Sequence, residues 1–464
     1  MIRENQRRQK WEEDRQRRAA AAKWIDFYNW LHKGYLKKDV EKAFPKTAEA
    51  MIRFAETVDL TREIIDEIAV MFDNGLAVRV VDAADGSLLP DMLADMLRDA
   101  MFVPTMDSVE AHEKLTHKVL VRPVWRDGHV ELDMLLPDRV FVEQEPDNPK
   151  KARAVYYSVR ETTDTPMHAD RKHVYMKMTA EEISMVELGL NGGDEKILSS
   201  EPNPYGVIPV AEFQSTLSIN SYWPEKGQPL VDANALLNLL ATQYWFGFRF
   251  QTFGQPIIRG EVDGDNDQQQ MVLSPDSPLT FLHYGDGSQP GTLEFVTPDS
   301  PFEKAWEILR DKFPASIAQS FGLTKDVFRA SGSSFASGYH LRLAREPIVK
   351  KSMADRAYYR PAIQKLLGLM MKTYDLNTAD KQFGDAELMI DFPEPRVDLD
   401  PLQQEPVRAM RTANGTWSPK RSVMADNPDL TEDDADAEVA ALRAENTALQ
   451  TVSLAGALAD EVEE

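Results

Sequence analysis

Two short stretches combine residue types that could carry catalytic or ligand-binding chemistry. The first, Asp263–Asp267, alternates side-chain oxygens as the start of a Ca²⁺ loop does, because a hard cation prefers oxygen ligands. The sixth position is Gln268 where such a loop needs glycine, and the twelfth is Ser274 where it needs a bidentate glutamate. We therefore expect an acidic loop tip, and a metal-dependent hydrolase remains a less favoured alternative.

The second stretch, Arg329–Gly338, is a run of small residues around one phenylalanine. Backbone N–H groups in such a loop can cradle a phosphate, so a nucleotide-dependent hydrolase that uses Ser331–Ser334 is an alternative. A loop that leads into a helix is the interpretation we favour, with glycine relaxing the limits on its backbone. The sequence contains no Walker A, H-E-x-x-H or G-x-S-x-G motif, and no histidine is paired with a nucleophile. We predict no catalytic residue, no metal and no cofactor.

Composition limits the protein classes further. The chain has 464 residues, a formal charge of −23 and no cysteine, which excludes disulfides, zinc-thiolate sites and cysteine nucleophiles. Residues 1–23 have a net charge of +4, whereas residues 425–464 have a net charge of −11. This acidity argues against a general nucleic-acid coat. The most apolar window, Ala235–Phe250, is too short and too polar to span a bilayer, so no membrane partner is expected.

Hydrophobic periodicity predicts the elements that position these stretches. Residues 5–75 and 91–120 show helical spacing, and the first of these runs should end at Asn74-Gly75. Between them, Leu76–Val81 alternates like a short strand. The period changes to two from about residue 118 to 210, which indicates a β-rich section. Its predicted strands are Val119–Val121, His129–Leu135, Val140–Val142, Ala154–Val159, Val174–Met178 and Ile208–Phe213.

The second half of the chain begins with a predicted helix over 229–250, started by Pro229. A Gly/Pro-rich β module follows over 251–300, and Ser300 should cap a second helix that Pro314 kinks or interrupts. A long helix over 338–374 should be kinked at its internal prolines. The remaining predicted elements are strands at Pro256–Arg259, Leu279–Leu282, Thr292–Val296 and Leu388–Phe392, and an acidic helical tail at Thr431–Leu458.

This element order resembles that of the portal proteins of long-tailed phages. Ile208–Phe213 is similar to the strand before the first stem helix of that family. Ser320–Leu323 followed by Ser333–Leu341 resembles the "F-G-(I/L) … S-G-x-A-L" stretch before the long wing helix, although His340 stands where the family often has a small residue. Asp391–Pro395 with Asn414–Ser418 resembles the "F-x-x-P … G-x-x-S" region. The order and spacing of these motifs carry the resemblance.

The resemblance implies an α+β fold with portal architecture: an α/β wing, a two-helix stem, a small β-containing clip, a long kinked wing helix and a helical C-terminal crown. The implied divisions are a basic N-terminal arm at 1–24, wing at 25–227, stem helix 1 at 228–250, clip at 251–300, stem helix 2 at 301–319, tunnel loop at 320–337, wing again at 338–430 and an acidic crown at 431–464.

The resemblance also implies which residues meet DNA and which meet another subunit. The residues expected at the DNA channel and tunnel loop are Arg329, Ser331, Gly332, Ser333, Ser334, Phe335, Ser337, Gly338, Arg342 and Arg345. Lys350 and Lys351 are further cations expected near DNA. For these two lysines and for Arg342 and Arg345, a helix face solvated between subunits is an equal alternative. The stem and subunit interface is expected at Leu236, Leu240, Trp245, Phe246, Phe248 and Trp306, aromatic and apolar residues that could instead belong to a core.

The implied function is that of a ring, usually of twelve subunits, at one capsid vertex of a virion assembled in the host cytoplasm. Its implied partners are the terminase large subunit, the major capsid or scaffolding protein, head–tail connector or adaptor proteins, and double-stranded DNA bound without sequence specificity. An acidic chain with few basic residues would let DNA slide rather than bind. Another virion structural or adaptor protein is the main alternative.

Overall fold

The architecture comes from a computed structural model of the whole chain. It describes residues 2–73, 75–81, 87–159, 173–188, 195–252, 255–259, 282–284, 292–296, 302–323, 338–379, 383–384, 386–393, 410, 418, 420–421, 424 and 435–441. The chain divides into two compact units, of which the first contains residues 1–333 and 344–395 and the second contains residues 334–343 and 396–464. The fold mixes helix and strand, as the predicted α+β class requires.

The N-terminal part is mainly helical, as the periodicity predicts. Its elements are α1 (Ile2–Tyr28), α2 (Lys33–Ala43), α3 (Ala48–Ile52), α4 (Leu60–Ile68), β1 (Ala77–Val80), α5 (Leu89–Asp99) and α6 (Phe102–Thr116). The predicted helix end at Asn74-Gly75 is wrong, because α4 ends at Ile68. The chain leaves the helix there, and the N–H of Met71 donates to the buried carboxylate of Glu110. A tertiary contact thus replaces the bond that a longer helix would have supplied.

Eight strands lie in the described residues of the β-rich section. They are β2 (Val119–Arg126), β3 (His129–Leu135), β4 (Val140–Gln144), β5 (Ala152–Ser158), β6 (His173–Met178), β7 (Glu182–Leu188), β8 (Lys196–Pro202) and β9 (Ala211–Phe213). Strands β3-β2-β9 form one antiparallel sheet, and β4-β5-β6-β7-β8 form a second. The sequence prediction missed β7 and β8. The fully exposed β8 shows no alternation because neither of its faces is buried.

The second half follows the predicted order of elements. It contains α7 (Pro229–Thr252), β10 (Gln255–Arg259), β11 (Leu282–Tyr284), β12 (Thr292–Val296), α8 (Phe302–Glu307), a π-helical turn (Ile308–Lys312), α9 (Phe313–Ser320), α10 (Gly338–Asn377) and β13 (Leu388–Asp391). Strands β11-β10-β12 make a small sheet, and β13 pairs with β1. Ser300, the predicted cap, lies outside the described residues.

Two of the hydrophobic cores among the described residues pack the long helices of the first unit. One core joins α5, α6, β2, β9 and the C-terminal half of α10, with Tyr359, Ile363 and Leu366 at its centre. The other joins α1, α4, α7, α9 and α10, and it includes Leu230, Ala318 and Ile348. The two long helices of the second half, α7 and α10, are therefore fixed by apolar packing against N-terminal helices.

Candidate functional site

The helix α7 packs against a second helix formed by α8, the π-helical turn and α9. Aromatic rings join the two helices near the end of α7. The ring of Trp306 lies 5.2 Å from that of Tyr244 and 5.1 Å from that of Trp245, between centroids. The ring of Phe302 lies 5.4 Å from that of Tyr244 and 5.6 Å from that of Phe248. These are distances at which aromatic pairs attract, so the cluster fixes one helix on the other.

The same helix pair leaves large apolar side chains exposed. Leu236 on α7 is 46% exposed, Ile308 on the π-helical turn is 49% exposed, and Phe248 is 40% exposed. Helices that are apolar on more than one face are normally covered on both sides. The opposite face of α7 is already occupied, because Leu230 and Leu237 are buried in the core. The exposed parts of Leu236 and Ile308 are therefore available to another protein surface.

The π-helical turn explains how a proline fits within the second helix. The N–H of Phe313 bonds to the carbonyl of Ile308, five residues earlier. Pro314 has no N–H, and its ring would meet the carbonyl four residues before it in a regular α-helix. Widening the preceding turn relieves that clash and lets the helix continue to Ser320. The predicted interruption at Pro314 is thus a π-helical turn rather than a break.

Glycine ends this second helix. Gly322 has a φ of +91°, a left-handed conformation that other residues rarely adopt. The N–H of Leu323 bonds back to the carbonyl of Ala318, and the side chain of Leu323 is buried. This arrangement closes the helix as a C-terminal glycine motif does. A groove of about 490 Å³ lies beside it, lined by residues that include Ala315 and Pro347.

Buried amide side chains hold the start of α7 against α4 and α6. The side-chain N–H of Gln228 donates to the carbonyl of Leu115 at 2.7 Å. Asn234 donates to the hydroxyl of Thr61 at 2.9 Å, and Asn238 accepts the N–H of Val58 at 2.8 Å. Hydrogen bonds in a buried site specify one arrangement because the alternative leaves polar groups unsatisfied.

A buried charged cluster fastens α10 to α6. The ammonium of Lys114 lies 2.5 Å from the Asp355 carboxylate and 3.6 Å from that of Glu113. Glu113 also accepts the hydroxyl of Tyr359 at 3.2 Å and both donors of Ser215, at 2.7 and 2.8 Å. Burial alone would lower the pKa of Lys114, but the neighbouring carboxylates raise it above its usual value. Lys114 is therefore a fixed cation inside the protein.

Glu110 lies one turn of α6 before this cluster and is itself a buried carboxyl group. One carboxylate oxygen accepts the N–H of Met71 at 2.8 Å. Burial raises the pKa of Glu110 to about 8 despite the nearby Lys114, so the group is largely protonated at neutral pH. Sequence analysis missed this cluster. The signal was present as three charged residues, Glu110, Glu113 and Lys114, within the apolar pattern of α6.

The structure brings together three of the six residues that the sequence assigns to the stem and subunit interface. Trp245, Phe248 and Trp306 belong to the aromatic cluster, and Leu236 is exposed. Leu240 is half-buried. Phe246, also half-buried, packs instead against the core of α2 and α3. That contact places part of the Phe246 side chain in the subunit's own packing, and its assignment to the subunit interface stays a prediction.

The residues assigned to the tunnel loop lie mostly outside the described part of the chain. They are Arg329, Ser331, Gly332, Ser333, Ser334, Phe335 and Ser337. Gly338 begins α10, and Arg342 belongs to α10 with its side chain outside the described residues. Arg345 is exposed, with its guanidinium 3.5 Å from the Glu67 carboxylate. Lys350 and Lys351 are exposed on the same helix.

The described residues contain neither a candidate metal site nor a candidate membrane span. No group of three or more His, Asp or Glu side chains in that part of the chain could hold a metal ion. No helix in the same part is long and apolar enough to cross a membrane. The acidic stretch Asp263–Asp267 lies outside the described residues.

No protein-family model and no curated protein matches this sequence. Two similar solved chains come from gene transfer agent particles. A chain of the "Virion of native gene transfer agent (GTA) particle" has a TM-score of 0.41 at 12% identity, covering 86% of this chain and 92% of its own length. A chain of the "Neck of empty GTA particle computed with C6 symmetry" has a TM-score of 0.43 at 13% identity, covering 79% and 88%. TM-scores below 0.5 do not establish a shared fold.

Proposed function

We propose that this chain is the portal subunit of a phage-like virion, which assembles into a closed ring around a channel for double-stranded DNA. The observation that carries the proposal is the packed helix pair of α7 and α8–α9, which keeps large apolar side chains exposed in the single chain. An identical neighbour would cover them. Contacts repeated from copy to copy by rotation close into a ring.

The order of elements supports the same proposal. The pair α7 and α8–α9 would form the stem, and the small sheet between them, β10 to β12, would be the clip. The clip would dock the terminase and later the head–tail connectors. Residues 320–337 would be the tunnel loop that faces DNA, residues 25–227 and 338–430 would be the wing, and residues 1–24 and 431–464 would be the N-terminal arm and the crown. Energy for DNA movement would come from the terminase.

The stem interface is tested by placing charge on the exposed apolar positions. Leu236→Asp and Ile308→Asp should each fold and yet fail to form rings, because a carboxylate would be buried without a partner between copies. The matched control is Val207→Asp, a similarly exposed apolar residue (49%) before β9, which should leave assembly unchanged. Sedimentation velocity measures the outcome. If the Leu236→Asp and Ile308→Asp variants both still formed rings, the proposed interface would be contradicted.

The channel assignment is tested by deleting residues 331–336. Rings should still assemble, because the loop is not part of the helix pair, whereas the amount of DNA packaged per particle should fall. Negative-stain images report assembly, and nuclease-protected DNA reports packaging. A deletion that abolished rings while sparing DNA passage would contradict the assignment.

A further inference from the structure

The two ends of one row of helices are separate surfaces of the first unit. Helix α2 packs against α7, α7 against α4, α4 against α6, and α6 against α5. Helix α2 buries Leu36 and Val40 in one hydrophobic core, whereas α5 buries Leu93 and Met96 in another. Helices α2 and α5 are thus the first and last members of this series of contacts, with α7, α4 and α6 between them.

The α2 end of the row is basic. Five exposed lysines lie on α2 and the turn after it, against only two acids, Asp39 and Glu41, for a net charge of +3. The lysines, here called the basic end, are Lys33, Lys37, Lys38, Lys42 and Lys46. Lys37 has a long ion pair of 3.9 Å with Glu41. Lys33, Lys42 and Lys46 have no ion-pair partner among the described residues, although the whole chain carries −23.

The α5 end of the row is acidic. Asp91, Asp95 and Asp99 recur every four residues and are all exposed, so they form one ridge on the helix surface. Arg98 pairs with two of them, at 2.8 Å from Asp95 and 3.5 Å from Asp99. The helix still has a net charge of −2. The three aspartates are here called the acidic end.

Exposed apolar side chains flank both ends. Trp30 and Leu31 precede α2, and Leu88 and Met101 border α5. Trp30 and Met101 have φ values of +59° and +48°, and such left-handed backbone costs a residue other than glycine of order 1 kcal/mol. The indole N–H of Trp30 donates to Thr57 at 2.9 Å, which fixes the ring in place. Apolar side chains that are fixed in position next to charged residues are typical of an interface with an apolar core and a polar rim.

We propose that the basic end of one copy docks on the acidic end of the next copy, with the flanking apolar residues packed between them. This inference rests on the proposed ring and names a contact outside the helix pair that forms the stem. A second copy is the occupant because this one chain carries both halves of a complementary surface. Such a contact joins two different surfaces, so it repeats head to tail, as a ring requires. Opposite charges also set the register and exclude like-to-like contacts.

Other occupants explain only half of the observation. Duplex DNA would bind the lysines through its phosphates, but it would repel Asp91, Asp95 and Asp99 and would leave Trp30 without an apolar partner. An acidic surface of a different protein would likewise leave the acidic end unexplained. Under either alternative, each charge-reversal variant alone would still form rings.

The test reverses the charge at each end in the full-length chain. One variant carries Lys33→Glu and Lys42→Glu, and the other carries Asp95→Lys and Asp99→Lys. Each alone should raise the protein concentration needed for half-maximal ring assembly by about tenfold or more, since several facing charges would repel. An equimolar mixture should assemble again, because each variant then meets a neighbour of opposite charge. The control Lys150→Glu with Lys196→Glu, exposed lysines away from the row, should assemble normally.

Native mass spectrometry of the mixture, with one variant tagged, measures the outcome. Rings that contain both variants in equal number support the inference, and this rescue also shows that both variants fold. Single variants that assemble like the wild type would overturn the inference while leaving the ring intact. The inference would also be overturned if the lysine variant assembled normally and lost only its affinity for a random 30-base-pair DNA duplex. A wild type that stays monomeric at every concentration would overturn both the ring and this contact.

Discussion

Removing the cation from the buried charged cluster is the perturbation with the clearest expected size. In Lys114→Met the side chain keeps a similar length but loses its ammonium group. The side chains of Lys114 and Asp355 are only 6% and 10% exposed, and their charged atoms lie 2.5 Å apart. Breaking such a buried pair costs about 3–5 kcal/mol, because the remaining carboxylate stays out of water without its partner. We expect a loss of that size in the free energy of unfolding.

Urea denaturation followed by tryptophan fluorescence at pH 7 measures this loss, since the chain contains eight tryptophans. Amide hydrogen exchange in α10 should show where the loss falls, with faster exchange near Asp355 because that helix loses its tie to α6. The matched control is Lys350→Met on the same helix. Lys350 is 72% exposed and pairs with Glu346 at 2.7 Å, and an exposed pair contributes only about 0.2–1 kcal/mol.

A double variant separates the pair from general effects of the substitution. Lys114→Met with Asp355→Leu removes both charges, so no unpaired Asp355 carboxylate remains and part of the lost stability should return. If Lys114→Met were no more costly than Lys350→Met, the cluster would not be what fastens α10 to α6, and the reasoning would be refuted.

Three further predictions concern pH dependence, backbone conformation and the aromatic cluster. The raised pKa of Glu110, about 8 against 4.5 for an ordinary glutamate, means that its stabilising contribution is present below about pH 4.5 and is lost as pH rises through 8. Glu110→Gln should therefore gain stability relative to the wild type between those values, and parallel urea midpoints across the pH range would contradict this. Gly322→Ala should lower the free energy of unfolding by about 1 kcal/mol, because the φ of +91° is strained for alanine. Gly368→Ala, within α10 and with open space around its added Cβ, should instead raise it by up to about 1 kcal/mol, and two changes of the same sign would refute the argument. Trp306→Ala should lower the melting temperature measured by circular dichroism, since it removes ring contacts with Tyr244 and Trp245 worth about 0.5–1.5 kcal/mol each beyond their buried area, and an unchanged melting temperature would count against the cluster.

The long helices could be predicted from sequence because one local signal determines each of them. The predicted helix over 229–250 corresponds to α7 at Pro229–Thr252, and the predicted helix over 338–374 corresponds to α10 at Gly338–Asn377. Apolar residues recur along both at helical spacing, and Pro229 is preorganised for a first turn. Neither feature depends on the rest of the fold.

Features set by tertiary contacts could not be predicted in the same way. Helix α4 ends at Ile68 beside a buried carboxylate from another helix, and local sequence carries no sign of that partner. The π-helical turn before Pro314 is one of several ways to accommodate a proline. The cluster of Lys114 and Asp355 joins residues 241 positions apart, a distance over which one sequence shows no pairing. The tunnel-loop assignments, by contrast, remain predictions.

Negative-stain electron microscopy of the purified protein tests the central claim most directly. We expect closed rings of identical subunits with an axial channel wide enough for duplex DNA. A monodisperse monomer or dimer, with no rings at any protein concentration, would contradict it.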